Sequence, residues 1–422
     1  MPEADRHDFD PSALLPVVVG GDIGAYALLR AFHEEYGVRG VAISSVEPSP
    51  FIDTRIADVL VQRGIADETV LVQTLVELAQ QHPGRIRLLM TNADWFVRTL
   101  SAHREQLEPH YRLVLPSPET FDAVSDKERF AALCEKLGIA TPRTVAVHLP
   151  DLDDDAAVAA LDVPLRYPLI GKPASSADYH AVDFVGKQKV HHFAGRAELE
   201  IVLLRLRAAG YAGTFLLQEF VPGGEPQLGS LTAYRDSHGE VTLLATGRVL
   251  LQEHTPDALG IPAAILTGDF TEAMEPAARF LDAADYFGFA NFDFKQDPRT
   301  GELVFFEVNP RIGRNNYYVT AAGHNVARFP VEDLVAGRSV PQERATAHLV
   351  YSVVPRLLLL RYLPERALRS RVVRLMRQGR VAHPLANPAD GSPQRRASVL
   401  AMTTNHVRKF LRTYPRPTDT GL

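Results

Sequence analysis

Two short segments late in the chain, FANFDFK (Phe289–Lys295) and FFEVNPR (Phe305–Arg311), place polar side chains at alternate positions. Alternate residues of an extended chain share a face, so Phe289, Asn291, Asp293 and Lys295 lie on one side while the remaining phenylalanines pack the other. Glu307 and Asn309 are likewise two apart. The intervening PRTG is a turn signature, and a hairpin would bring Asp293, Glu307 and Asn309 together as oxygen ligands. Such a set suits Mg²⁺, which takes one or two carboxylates plus waters and nucleotide phosphates. Mn²⁺ could take its place. Two ions bridged by one carboxylate would clamp a transferring phosphoryl group. Arg311 and Arg314 follow at once and could neutralise phosphate or carboxylate oxygens. The plain alternative is an exposed acidic hairpin; an E-x-N-x-R run after a matching Asp-bearing strand argues against it.

Three further features precede this pair. In LIGKP (Leu169–Pro173), Lys172 ends an apolar strand, a costly placement unless the ammonium meets an anion or snorkels to water. The small-residue stretch 174–186 could then close over phosphates with backbone N–H groups. In LLQEFVPGGE (Leu216–Glu225) an apolar strand breaks at Pro-Gly-Gly. The backbone of such a hinge can hydrogen-bond an adenine edge, with Glu219 or Glu225 on the exocyclic amine or the ribose; a surface strand–turn is the bland reading. Lys127 opens a helix, where lysines are usually just solvated.

The elements that must position these residues are legible in outline. Leu15–Gly21, a glycine turn, a helical pattern stopped by Gly37 and the run Gly40–Ser44 make a strand–helix–strand unit, the start of a parallel α/β layer. Arg85–Met90 and Tyr111–Leu115 extend it, and the first domain ends near residue 117. Ser125–Gly138 reads as a helix capped by Ser125 or Asp126. Strands at Leu169–Lys172, Phe215–Val221, Leu231–Tyr234, Val241–Val249, Phe289–Lys295 and Leu303–Val308, with a helix at Ala197–Ala209, indicate an α+β region. The expected division is therefore 1–117, 118–341 with a small lid at about 165–222, and a basic extension over 342–422.

Composition narrows the class. The 422 residues are 46% hydrophobic and 23% charged, an ordinary globular mixture. The sequence holds no window near the roughly 20 apolar residues of a membrane span, and its N-terminus lacks the basic, apolar start of a secretory signal. The single cysteine, Cys134, excludes an internal disulfide and lies in a helical pattern as a packing residue. A cytoplasmic protein is expected. The net charge of −6 divides unevenly: roughly +11 from Tyr351 onward against roughly −17 before it. No groove-reading motif accompanies the basic tail, so nucleic acid is not an expected partner. Arg356–Arg380 mixes leucine and valine with spaced arginines. A helix packing its apolar stripe on the acidic body is favoured there over a membrane-surface contact.

Lys127, Lys172, the hinge, Asp293 and E-V-N-P-R occur in an order that resembles the ATP-grasp superfamily. Over Val17–Val335, GGDIGAYALLRAFHEEYG, LIGKPASSADYHAVDFVGK and the segment around EVNPRIGRNN resemble the D-aspartate ligases of bacterial cell-wall synthesis. The resemblance implies an ATP-grasp fold, α/β and α+β, with an N-terminal parallel-sheet domain and ATP held between two antiparallel sheets. It implies that Lys127 and Lys172 contact phosphates, that Glu219, Phe220 and Val221 meet the adenine, and that Glu225 meets the ribose. Asp293, Glu307 and Asn309 would hold magnesium, Arg248 would face the reacting phosphate, and Gly21 and Asp22 would lie near the carboxylate substrate. The Gly20-Gly21-Asp22 turn is not a G-x-G-x-x-G fingerprint and implies no dinucleotide. The implied reaction turns a carboxylate, with ATP, into an acyl phosphate that an amine attacks to form an amide. D-aspartate joined to a peptidoglycan-precursor lysine is one candidate pair, a small-metabolite amino-acid or dipeptide ligase another, and a non-catalytic nucleotide-binding regulator a third. A homodimer is compatible with all three.

Overall fold

The computed structural model describes residues 9–418 apart from 175–178, 180, 181, 189, 256 and 257, so six residues of the expected phosphate loop lie outside the described residues. The chain forms two compact units. One comprises residues 1–138, 224–294 and 307–422, the other 139–223 and 295–306.

The first unit begins with strands Leu14–Val19 (β1), Gly40–Ser44 (β2), Ala57–Val61 (β3), Ile86–Thr91 (β4) and Arg112–Leu113 (β5), in the order β3-β2-β1-β4-β5. Every pairing is parallel. All residues of β1 and β2 are buried, which is why both read as unbroken apolar runs rather than alternating ones. Helix Ile23–Tyr36 (α1) is capped by the Asp22 carboxylate, which accepts from Ala25 N–H, and stopped by Gly37 at φ 67°. Helix Lys127–Lys136 (α2) is capped by Asp126, one of the two residues expected there. The edge strand β3 escapes sequence reading because its residues are mostly half-exposed. A surface cavity of about 660 Å³, lined by Arg39, Asp58, His82 and Arg85 among others, opens at the N-terminal ends of these strands. In a parallel sheet ligands bind at the opposite, C-terminal ends, where Gly20-Gly21-Asp22 follows β1.

The second unit is built on Thr144–His148 (β6), Leu169–Pro173 (β7), His191–Phe193 (β8) and Thr214–Glu219 (β9), an antiparallel sheet in the order β6-β9-β7-β8. Helix Arg196–Ala208 (α3) buries Leu199, Leu203 and Leu206 at helical spacing against Leu169, Phe193, Phe215 and Leu217.

The first unit resumes with Leu228–Arg235 (β10), Val241–Gln252 (β11), Pro262–Thr267 (β12), Gly288–Gln296 (β13), Leu303–Asn309 (β14), Glu343–Ala345 (β15), Val350–Ser352 (β16) and Val381–Ala382 (β17). They form an eight-stranded sheet in the order β14-β13-β10-β11-β12-β16-β17, with β15 on β11. The C-terminal stretch therefore contributes three strands to the central sheet. The expected helix over 356–380 is two, Arg356–Arg361 (α4) and Arg366–Arg377 (α5). Pro364 separates them, because proline bars the helical region to the residue before it. The apolar stripe of α5, Leu368, Val372 and Leu375, is buried in the same core as α1, worth about 1.5–3 kcal/mol for each side chain. Helix Pro393–Thr413 (α6) follows; its Arg395 is 1% exposed and lies over the Tyr26 ring, 4.5 Å from the centroid. Nearby Asp390 accepts from Tyr26 Oη, Thr54 Oγ1 and Arg55 N–H at 2.6–2.7 Å. The basic tail is thus clamped to the N-terminal sheet by buried polar contacts as well as by apolar ones.

Candidate active site

Strands β13 and β14 are neighbours joined by a turn in which Asp297 N–H donates to Glu302 O at 2.8 Å. The pairing gathers the expected oxygens. Asn309 Nδ2 donates to Asp293 Oδ2 at 2.9 Å and to Asn291 O at 3.3 Å, while Arg311 Nη2 donates to Asn309 Oδ1 at 3.1 Å. Asn291 is itself fixed, its Oδ1 accepting from Thr232 Oγ1 on β10 at 3.2 Å. Burial, and then the negative charge of Glu307, push the Asp293 carboxyl up to about 7, against smaller opposing pulls from Arg311 and Asn309. Two carboxylates held together without a full counter-charge are unfavourable unless a cation joins them.

That is the basis for asking whether a divalent ion fits. Among the described residues no group of three or more His, Cys, Asp or Glu is assembled. The set is two carboxylates and an amide, which matches Mg²⁺ with phosphate oxygens completing the shell, and does not match a thiolate- or imidazole-rich zinc site. Turning the Asn309 amide by half a rotation would exchange its nitrogen for its oxygen on the Asp293 side. The residues fit the ion.

The turn after β1 comes to the same region through Arg314. Arg314 Nε pairs with Asp22 Oδ2 at 2.9 Å, and Asp22 Oδ1 accepts from Ala25 N–H and Asn92 Nδ2, each at 2.9 Å. A side chain on Gly24 would stand 2.8 Å from Arg314 Cα, and one on Gly21 2.7 Å from Ser44 Oγ, so both glycines permit close backbone approach. Arg311 pairs with Asp94 at 3.1 Å.

Arg248 does not join them. It lies opposite Gly229 on β10, and a Cβ built at Gly229 would meet the Phe294 ring at 2.2 Å. Paired residues of an antiparallel ladder share a face, so Arg248 lies on the Phe294 side and Asp293 on the other. Its guanidinium stacks 4.2 Å from the Phe270 centroid and pairs with Asp269 at 2.8 Å. Asp269 also takes two hydrogen bonds from Arg371 of α5, at 2.6 and 3.0 Å. Arg248 therefore lies on the face away from Asp293, apart from the other expected site residues. Its face is set by the pairing of β11 with β10, which the sequence alone does not give.

In the second unit Lys172 lies on β7, and the hinge follows β9. Glu219 pairs with Arg143 at 3.1 Å. Phe220 N–H donates to Pro168 O at 3.2 Å, and Val221 is buried. Glu225, in the first unit, is 4% exposed; its Oε1 accepts from Gln252 N–H at 2.7 Å and pairs with His254 at 3.0 Å. Lys127 opens α2.

Comparison with known proteins settles the class. Residues 126–327 match the family described as carbamoyl-phosphate synthase L chain, ATP binding domain. The D-aspartate ligase of Enterococcus faecium (strain Aus0004) is 28% identical over 404 residues, 94% of this chain and 96% of that one. The chain is an ATP-grasp ligase. Solved structures agree on the fold. The biotin carboxylase domain of Hydrogenobacter thermophilus 2-oxoglutarate carboxylase, in complex with MgADP, ADP and bicarbonate, superposes with a TM-score of 0.57 at 15% identity, covering 79% of this chain and 72% of that one. The L-amino acid ligase of Bacillus licheniformis superposes with a TM-score of 0.53 at 15% identity, covering 76% and 74%. The protein is an ATP-dependent enzyme that forms an amide from a carboxylate and an amine.

One residue of the ligase, and the target of another, escaped sequence reading. Asp94, at the start of a helix, carried no motif, and only the fold shows that it meets Arg311. Lys295 was visible as a partner of Asp293 in the β13 alternation, but its target was not: Nζ donates to Gly223 O at 2.6 Å.

Proposed function

We propose that the ligase activates an amino-acid carboxylate, D-aspartate foremost, and joins it to the amine of an acceptor such as a peptidoglycan-precursor lysine. The observation that carries the reading is the gathering of Asp293, Glu307 and Asn309 on the neighbouring strands β13 and β14, with Asn309 bonded to Asp293. The similarity to D-aspartate ligase along nearly the full length of both chains supports the choice of acid. A carboxylate resists attack by an amine because oxide is a poor leaving group. Transfer of the γ-phosphoryl group of ATP to a carboxylate oxygen gives ADP and an acyl phosphate; attack by the amine at the carbonyl carbon then forms the amide and expels phosphate. Phosphoryl transfer needs positioning and charge neutralisation more than covalent help.

The chain's residues divide that work. Asp293, Glu307 and Asn309 would hold Mg²⁺, with Mn²⁺ as a substitute, and the ion when bound neutralises phosphate oxygens. Lys127 and Lys172 would neutralise phosphates, and Arg311, steadied by Asp94, would meet charge developing on the transferred group. Arg314, oriented by Asp22, would receive the substrate carboxylate beside Gly21. Glu219, Phe220 and Val221 would line the base, with Glu225 fixing the turn beyond them. No helix among the described residues is long and apolar enough to cross a membrane, and we place the reaction in the cytoplasm.

The test is an ADP-release screen over D- and L-amino acids with a panel of amines. D-aspartate-dependent ADP formation is expected. Strict dependence on an L-amino acid would move the assignment to small-metabolite ligation. No acid-dependent ADP formation with any pair would favour a nucleotide-binding regulator.

A further inference from the structure

The hinge after β9 is held by a buried cation, Lys295. Lys295 is two residues beyond Asp293 on β13 and is 5% exposed. Its Nζ donates to Gly223 O at 2.6 Å and lies 5.1 Å from the Phe220 ring centroid. A buried ammonium is costly, and one placed on a loop carbonyl fixes that loop strongly, because a charged donor makes the stronger hydrogen bond. The ring it covers is braced from another side by His192, edge-on at 5.2 Å.

What the lysine fixes is a pattern of backbone donors. Glu219 N–H is spent on Arg143 O at 2.9 Å and Phe220 N–H on Pro168 O at 3.2 Å. Val221 N–H comes next, and among the described residues no acceptor lies on it. An amide on a buried residue with no partner among the described residues can take an acceptor from a ligand. The N1 atom of adenine is such an acceptor, whereas N1 of guanine carries a proton and would oppose donor to donor. A hinge free to shift by a fraction of an ångström would lose that distinction.

We propose that Lys295 is a positioning residue for nucleotide-base selection: by tying Gly223 and covering Phe220 it holds the Val221 amide where a base with an acceptor at N1 is taken and one with a donor is refused. The inference rests on the reading of Glu219–Val221 as the base site. It does not involve transfer chemistry, so binding alone tests it.

The experiment is calorimetric titration of the full chain with ADP and with GDP in the presence of Mg²⁺. Lys295→Met keeps the bulk of the side chain and removes the donor; it should weaken ADP about tenfold while leaving GDP unchanged, collapsing the preference. Lys295→Arg, which can still donate to Gly223 O, should retain most of it. A general loss of fold would lower both affinities and leave their ratio alone, so the ratio is the readout. Lys295→Met with the wild-type ratio would overturn the proposal. Val221→Pro removes the amide donor itself and separates the two ideas. If it weakens ADP while Lys295→Met does not, the role of Lys295 fails alone; if neither variant changes ADP binding, the base site has been misplaced and the inference falls with it.

Discussion

Asp293 and Phe294 are adjacent in sequence and lie on opposite faces of one sheet, and the two faces handle charge in opposite ways. On the front, burial and the charge of Glu307 raise the Asp293 carboxyl to about 7, with Arg311 and Asn309 only partly offsetting them. On the back, Arg248 stacks on Phe270 and shares Asp269 with Arg371. The back arrangement satisfies itself and locks α5 to the sheet. The front arrangement is incomplete, and a divalent ion with phosphate would complete it. An arginine in a strand is therefore no guide to a phosphate until its face is known, whereas an unrelieved like-charge pair points outward to a ligand.

If the faces differ in this way, substitutions should separate catalysis from stability. Asp293→Asn should lower amino-acid-dependent ADP formation about a thousandfold, since charge neutralisation carries most of phosphoryl transfer. Its thermal midpoint should not fall, because the change relieves repulsion; a large loss of stability with activity retained would reverse the roles assigned to the faces. Arg314→Ala should raise KM for the carboxylate substrate about thirtyfold, as expected for losing about 2 kcal/mol of charge-assisted hydrogen bonding, with KM for ATP little changed. Steady-state kinetics with each substrate varied in turn reads this directly.

Arg248→Ala should do the opposite of Asp293→Asn. Turnover should stay within about threefold, while urea unfolding should show about 2 kcal/mol lost, from the Phe270 stacking and the hydrogen bonds to Asp269 and to Pro226 O. Loss of turnover in a stable Arg248→Ala protein would return that residue to the active site. The smallest effect concerns His383, in the C-terminal stretch beyond α5. Burial holds His383 down at about 4, against an ordinary value near 6.5. The unfolded chain thus binds a proton that the native one refuses between those values, so stability should fall as pH drops from about 6.5 towards 4. His383→Gln should flatten that part of the stability–pH curve by about 1–2 kcal/mol, measured by urea midpoints.

Sequence exposed the front face because its information is local. Alternation within nine residues of β13 and seven of β14 is enough to align Asp293, Glu307 and Asn309 once a turn joins them. The first parallel strands were legible for a similar reason: full burial leaves an unbroken apolar run. The back face and the C-terminal stretch were not. Arg248, Asp269 and Arg371 meet across more than a hundred residues, and β15–β17 are two or three residues long, too short to carry a period. A count of basic residues marked the tail as separate, but Leu368, Val372, Leu375 and the buried Arg395 place it in the core beside α1.

The most direct test of the central claim is hydroxylamine trapping with wild-type protein and Glu307→Gln, using ATP, Mg²⁺ and D-aspartate. Hydroxylamine intercepts an acyl phosphate as a stable hydroxamate. Wild-type protein should form aspartyl hydroxamate with matching ADP, and the folded Glu307→Gln protein should form neither above background. Hydroxamate formed equally by both would contradict the metal-site assignment, and ADP released without hydroxamate would contradict the acyl-phosphate route.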